Sequence, residues 1–188
     1  MIHLYLARHG ETEENVKKIL QGHLPGQLTA QGKVQATHLC ENLVLNHIKP
    51  DHIIVSDLQR TLDTAYIVNE RLQLPLTSTS LLRERDWGSL TGLSYAKKDL
   101  DTSTSDIESI EDLFNRAHLF IDYLFEHFDG KSVLAIGHGL FNRCIIAAIS
   151  NKIIQDIPRM QNAEYRALCL YPKIHSSHSV HEVEATND

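Results

Sequence analysis

The chain has 188 residues, 42% apolar and 22% charged, which suits one globular domain with a full core. Its net charge is −6 and its basic residues are not massed in blocks, which argues against a nucleic-acid partner because phosphate backbones are met by broad basic faces. No apolar run approaches the ~18 residues of a membrane span, and no basic region precedes an apolar signal core at the N-terminus. A cytoplasmic protein with no membrane partner is expected.

Ile2 to Ala7 read as a short apolar strand, with Arg8-His9-Gly10 at its carboxyl end and a polar segment rich in helix-starting residues after it. Thr29 is the expected N-cap of a helix whose stripe of Leu39, Cys40, Leu43, Val44 and Ile48 ends before Pro50. His52 to Val55 form a second strand, closing on Ser56-Asp57. A helix follows from about Gln59 to Leu72, and Pro75 stops it. Leu76 to Leu82 read as a third strand, and Trp87 to Ser105 as an exposed loop.

Asp106 to Phe128 give the longest helix, with Ile107, Ile110, Phe114, Ala117, Ile121, Leu124 and Phe128 at helical spacing. Asp129-Gly130 turn the chain into Ser132 to Ile136, a continuous apolar run typical of a strand covered on both faces. Gly137-His138-Gly139 end it, and Leu140 to Ile149 form a buried helix. Glu164 to Tyr171 are a last strand, and a polar tail follows from Lys173. The cysteines Cys40, Cys144 and Cys169 are odd in number and lack C-x-x-C spacing. All three are expected to be reduced, the latter two buried.

Strands alternating with helices imply a three-layer α/β domain over residues 1–172 with a mostly parallel sheet, followed by a tail at 173–188. Ligands of such sheets bind beyond the strand carboxyl ends. Arg8-His9, Ser56-Asp57 and Gly137-His138 all lie at such ends, so one sheet edge gathers residues more than a hundred apart. A guanidinium beside an imidazole there makes a plausible anion site.

These blocks resemble the histidine phosphatase superfamily, also called phosphoglycerate mutase-like. Leu-Ala-Arg-His-Gly-Glu-Thr-Glu-Glu-Asn at 6–15 looks like its signature. Gln21-Gly22 with Leu28-Thr29-x-x-Gly32, Ser56-Asp57-Leu58-Gln59-Arg60-Thr61, Leu82-Arg83-Glu84, and Gly137-His138-Gly139 with Arg143 follow in the family's order. Asp106-Ile107-Glu108-Ser109 and Arg116 are similar to its Gly-Glu-Ser…Arg helix. The resemblance implies a phosphomonoesterase with His9 as nucleophile, Glu84 as acid, and Arg8, Arg60 and His138 completing the catalytic set. It places Asn15, Gln21, Gly22 and Gly139 with Arg8, Arg60 and His138 around the phosphate of a small phosphorylated metabolite, with no cofactor and no metal.

The residue chemistry fits. A neutral imidazole displaces a phosphate ester's leaving group once the charge on the phosphate is balanced. Arg8 and Arg60 can each grip oxygens in bidentate fashion, and His138, if protonated, adds a third positive group. A helix N-terminus after Gly10 is a further possible donor. One nitrogen of His9 should donate to a backbone carbonyl so that the other attacks. Glu84 would protonate the leaving alcohol and take a proton from water in the second step.

Other readings stand beside these. Glu84 lies in Arg-Glu-Arg-Asp, a string that usually means a solvated charge run, and Asp86 is a second candidate acid. His9, His138 and a carboxylate are also ingredients of a two-His metal site, which two arginines in one pocket oppose. The spaced His175, His178 and His181 are either an adventitious metal site or plain solvated side chains. Trp87 and Tyr95 either pack or line the mouth, and Asn162 either borders the site or serves loop hydrogen bonding. The loop after Gly22 departs from the common pattern at Pro25 and Gln27, as does Leu140 after the second histidine. Before the long helix there is only a brief insertion holding Lys97-Lys98. Mutase-type transfer and a silent phospholigand-binding protein remain as rivals.

Overall fold

The structure, a computed structural model, describes residues 1–96 and 104–172. Five strands form one sheet: β1 (Ile2–Arg8), β2 (His52–Ser56), β3 (Leu76–Thr79), β4 (Ser132–Gly137) and β5 (Tyr165–Leu170). Their order is β3-β2-β4-β1-β5. All neighbouring pairs are parallel except β1 with β5. This is the expected mostly parallel α/β sheet, with one antiparallel edge.

The helices are α1 (Glu13–Val16), α2 (Ala30–Leu45), α3 (Gln59–Leu72), α4 (Ile110–Phe128) and α5 (Gly139–Ser150). Alternation along the buried strands separates two cores. Ile2, Leu4, Leu6, Val133 and Ala135 face α4 and α5, whereas Ala7, Ile53, Val55, Leu134 and Ile136 face α2 and α3. Two apolar faces on one sheet require a helical layer on each side, which gives the three layers. Among the described residues no helix is long and apolar enough to cross a membrane.

Several elements differ from the sequence reading. The longest helix begins at Ile110, not Asp106, because Ser109 caps it by accepting from Asp112 N at 3.0 Å. Residues 106–108 bond instead to the chain before them: Asp106 accepts from Ser89 N at 2.6 Å, and Glu108 N donates to Asp86 O at 3.0 Å. The buried stripe runs through Leu113, Ala117, Phe120, Ile121 and Leu124, while Ile110 is 42% exposed. The third strand stops at Thr79, whose side chain caps the 3-10 turn Ser80–Leu82.

The segment after Trp87 is not simply an exposed loop. It forms the 3-10 turn Gly88–Leu90, buries Leu90, and pairs Ser94 with Ile19. All three cysteines are free, but Cys40 and Cys144 are the buried pair and Cys169 is half-buried. A residue of a strand's apolar run faces the core only if its register is right, and Cys169 stands opposite the exposed His3. Lys97-Lys98 and the tail from Lys173, with its three histidines, lie outside the described residues.

One close approach fixes how the chain leaves β1. The backbone at Gly10 and Glu11 lies against Gly32, the third residue of α2. A Cβ on Gly10 would overlap the Gly32 carbonyl, and one on Gly32 would overlap the Glu11 carbonyl. Only glycines let the two backbones touch there, and the touch aims the chain after His9 across the sheet edge.

Candidate active site

The carboxyl ends of β1, β4 and β2 are adjacent, and each delivers a polar residue. Arg8 pairs with Gly137 in register, and His9 N donates to Gly137 O at 3.1 Å. The rings of His9 and His138 therefore meet edge to face, 5.3 Å between centroids. Both are buried, at 3% and 0% exposure.

Geometry fixes the proton on each ring. His9 Nδ1 lies 2.7 Å from Gly10 O, which can only accept, so Nδ1 carries the hydrogen and Nε2 keeps its lone pair. His138 Nδ1 lies 3.0 Å from Arg60 Nη2, which can only donate, so Nδ1 is bare. Its Nε2–H then donates to Ser56 Oγ at 2.9 Å. Burial, with Arg60 next in weight, holds both imidazoles well below the usual histidine range. His138 is thus neutral here. The third positive group expected of it is absent from this arrangement, because the Arg60 donor occupies the nitrogen that would take the proton.

Arg60 is 1% exposed. Its Nη2 donates to Gly22 O at 2.9 Å and its Nη1 to Leu24 O, while its backbone N donates to Pro25 O at 3.0 Å. The loop after Gln21 is folded around this one side chain, and Gly22, at φ +48°, starts the bend. Burial pushes the Arg60 guanidinium down to about 10. Arg8 is lowered for the same reason, with Glu84 acting in the opposite sense on both. Arg8 Nη1 donates to Met160 O at 2.8 Å.

Among the described residues four buried side-chain polar atoms have no partner: Arg8 Nε, Arg60 Nε, Gln21 Oε1 and Asn142 Oδ1. Two of the four are guanidinium donors beside His9. Buried Arg60 and half-buried Arg8, with Glu84 the strongest opposing charge on both, keep two buried N–H groups without an acceptor, the kind of donor an anion's oxygens satisfy. Because Nη2 of Arg60 is committed to Gly22 and His138, Arg60 offers its Nε instead of the full fork expected of it.

Glu84 leaves the 3-10 turn after β3 and caps α5. Its Oε1 accepts from Phe141 N at 3.1 Å and Arg85 N at 3.0 Å, and its Oε2 from Leu140 N at 3.2 Å. His138, the N-cap residue, makes no side-chain cap of its own. The helix N-terminus at this site therefore holds a carboxylate, as the helix dipole favours. The other expected helix start is closed on itself: Thr12 and Asn15 form a capping box at 3.1 Å in each direction. Asn162 Nδ2 donates to His9 O at 3.1 Å and to Asn15 Oδ1 at 3.2 Å, which joins Asn15 to the His9 backbone. A Cβ on Gly139 would stand 3.2 Å from Arg8 Nε, so the glycine makes room for that guanidinium.

The structure thus brings together Arg8, His9, Arg60, Glu84, His138 and Gly139, with Gly22 reaching the cradle through its carbonyl and Asn15 through Asn162. Asp57 does not join them. Arg83 holds it at 2.7 and 2.6 Å and keeps its carboxyl below the usual range. Sequence reasoning missed Ser56 Oγ and the Met160 carbonyl, whose roles arise only on tertiary closure. No three His, Cys, Asp or Glu side chains converge as metal ligands among the described residues.

Arg116 and Glu108 form a clamp at the Glu84 backbone. Arg116 pairs with Glu108 at 2.9 and 2.8 Å and donates to Leu81 O, Arg83 O and Glu84 O at 3.1, 2.6 and 3.4 Å. Its guanidinium lies 3.9 Å over the Phe141 ring. This is a neighbour of the site and touches the acid only through backbone.

A sequence profile described as the histidine phosphatase superfamily (branch 1) matches residues 4–184. A probable phosphoglycerate mutase GpmB of Salmonella arizonae is 32% identical over 168 residues, covering 79% of this chain and 75% of the relative. The mycobacterial glucosyl-3-phosphoglycerate phosphatase in complex with VO3 superimposes with a TM-score of 0.78 at 28% identity, over 89% of this chain and 92% of that one. Bacillus stearothermophilus YhfR reaches a TM-score of 0.86 at 23% identity, over 98% and 96% of the two chains, and shares the fold.

Two outcomes follow from the packing. Replacing Arg116 by Met leaves Glu108 half-buried and unpaired, and should lower stability by about 2–3 kcal/mol. Adding Glu108→Gln should recover part of that loss in urea denaturation, whereas a double variant no better than the single one would refute the clamp. The second outcome concerns pH. An unfolded histidine binds a proton below about 6.5, whereas buried His9 and His138 do not. Stability should be full above pH 6.5 and fall below it by about 1.4 kcal/mol per pH unit for each ring. His138→Asn should remove one ring's share of that slope between pH 6 and 5, measured as urea midpoints, with His9 and half-buried His52 carrying the rest. An unchanged slope would mean that His138 charges in the folded state.

Proposed function

The chain belongs to the histidine phosphatase superfamily, branch 1, and on that footing we propose that it hydrolyses small phosphate monoesters through a phosphohistidine at His9. The observation that carries the reading is a neutral His9 with Nε2 bare, set beside buried Arg60 and half-buried Arg8, whose Nε donors are buried and unpaired.

In the first step Arg8 and Arg60 take the non-bridging oxygens, and His9 Nε2 attacks phosphorus as the bond to the leaving oxygen breaks. Glu84 gives that oxygen its proton. Oε2 is the better carrier, since it accepts one backbone hydrogen bond where Oε1 accepts two. In the second step water attacks the phosphorus, Glu84 takes its proton, and the N–P bond returns its electron pair to Nε2. His138 acts through Arg60, holding the guanidinium by its bare Nδ1. Asn15, Gln21, Gly22 and Gly139 shape the cradle. The low proton affinity of His9 keeps the nucleophile active at mildly acidic pH. The substrate is a small phosphorylated metabolite, and three unpaired cysteines suit a reducing cytoplasm.

A second reading, mutase-type transfer, is favoured by the name of the Salmonella relative. A mutase must keep water from its phosphohistidine. Only a short stretch of sequence, Gly92 to Ser105, separates the acid segment from the approach to α4, which favours hydrolysis.

Rapid quench with labelled substrate should place acid-labile, base-stable label on His9. His9→Ala should lose turnover, and label on a serine or cysteine would sink the mechanism. Phosphate release from simple monoesters should proceed without a bisphosphoglycerate primer, and isomerisation of 3-phosphoglycerate should be slower than that release. Primer-dependent isomerisation faster than phosphate release would establish the mutase reading instead.

A further inference from the structure

His23 has no part in the chemistry above, yet it stands between its two halves. The carbonyls on either side of it, of Gly22 and Leu24, both accept from the Arg60 guanidinium. Its own ring reaches the other way, with Nε2 3.0 Å from the Glu84 carbonyl oxygen. A carbonyl only accepts, so Nε2 carries the hydrogen and donates it. Its Nδ1 lies 3.7 Å from Asp86 Oδ2. Asp86 is itself fixed, its Oδ1 accepting from Gly88 N at 2.9 Å and its backbone N donating to Glu108 at 3.0 Å.

The other donor to the Glu84 carbonyl is Arg116, at 3.4 Å from the far side. His23 is thus the shorter of the two bonds, and it comes from the loop that grips Arg60. Three consecutive residues fix the phosphate-binding guanidinium and the backbone of the acid together.

We propose that His23 is a positioning residue for leaving-group protonation, aligning Glu84 with the phosphoryl group that Arg60 holds. The proposal rests on the reading of Glu84 as the acid. Proton transfer depends steeply on geometry. The grip on phosphate, through Arg8 and Arg60, does not use the His23 ring. Loss of the ring should therefore weaken proton delivery and leave phosphate binding unchanged. The α5 amides still seat the carboxylate, so the loss is partial.

The test is kcat/KM on two esters, glycerol phosphate, whose alkoxide needs a proton to leave, and p-nitrophenyl phosphate, whose phenolate does not. His23→Ala should lose about five- to tenfold on the first, the scale of one hydrogen bond, and about twofold or less on the second. His23→Gln, which can donate to the same carbonyl, should recover most of the loss. Inhibition by inorganic phosphate should not change. Added to Glu84→Gln, His23→Ala should cost nothing further on glycerol phosphate. His23→Leu, which keeps bulk without a donor, serves if the Ala variant does not fold. Equal losses on the two esters, or parent-like rates on both, would overturn the proposal. Glu84→Gln alone separates the two readings: if its own loss is not selective for glycerol phosphate, the acid assignment fails. If Glu84→Gln is selective and His23→Ala is not, only the role of His23 fails.

Discussion

A buried guanidinium, Arg60, its pKa lowered further by the half-buried Arg8 beside it, is the constraint around which this site is built. Removing an ion from water costs several kcal/mol even after relaxation, and two like ions add their repulsion. The chain answers with fixed dipoles. Carbonyls of Gly22 and Leu24 face the Arg60 guanidinium, and the carbonyl of Met160 faces Arg8. Glu84 supplies a single negative charge to both. What remains is an excess of positive charge that a phosphate dianion balances, in a setting where no solvent reorganisation is needed. The same field decides the state of the histidines. An imidazole buried beside Arg8 and Arg60 does not protonate, so on the proposed reading the groups that would hold the phosphate also keep the His9 lone pair free.

The positive end of α5 might have served the phosphate directly. Instead it seats Glu84 on the amides of Leu140 and Phe141. The acid is thereby held by backbone on the carboxylate side and by Arg116 and His23 on the carbonyl side. On the proposed mechanism Glu84 gives and then takes a proton at one point in space, and it gains more from such fixing than the phosphate would, because Arg8 and Arg60 would locate the phosphate.

Much of this was legible in the sequence. The strand ends at Arg8, Ser56 and Gly137, the helix Gln59–Leu72 and the gathering of Arg8, His9 and His138 at one edge follow from local periodicity and the geometry of parallel sheets. The start of α4 was not legible, because Ile107 and Ile110 fit the helical spacing while the Glu108 amide donates to Asp86 O and the Asp106 carboxylate accepts from Ser89 N. Nor was the charge on His138. Its neutrality depends on Arg60 turning one Nη2 hydrogen onto Nδ1, a contact across 78 residues that no local pattern encodes. Asp57 shows the converse. It sits at a strand end as expected, but Arg83 lies within reach and takes it.

The site divides by the rigidity of what carries it. Arg8, His9 and His138 ride on β1 and β4, each flanked by a strand on both sides and covered by helices on both faces. Substitutions there disturb the core as well as the chemistry. Glu84, His23 and the segment from Trp87 to Tyr95 lie largely on irregular chain, held by side-chain clamps, by the isolated bridges Thr12 with Leu28 and Ile19 with Ser94, and by backbone bonds to Lys18 and Leu20. Irregular chain tolerates exchange as long as its backbone bonds are met. On the proposed reading, a change of leaving group is more readily accommodated from Trp87 to Tyr95 than in the His23 loop, which is tied to Arg60 through Gly22 and Leu24.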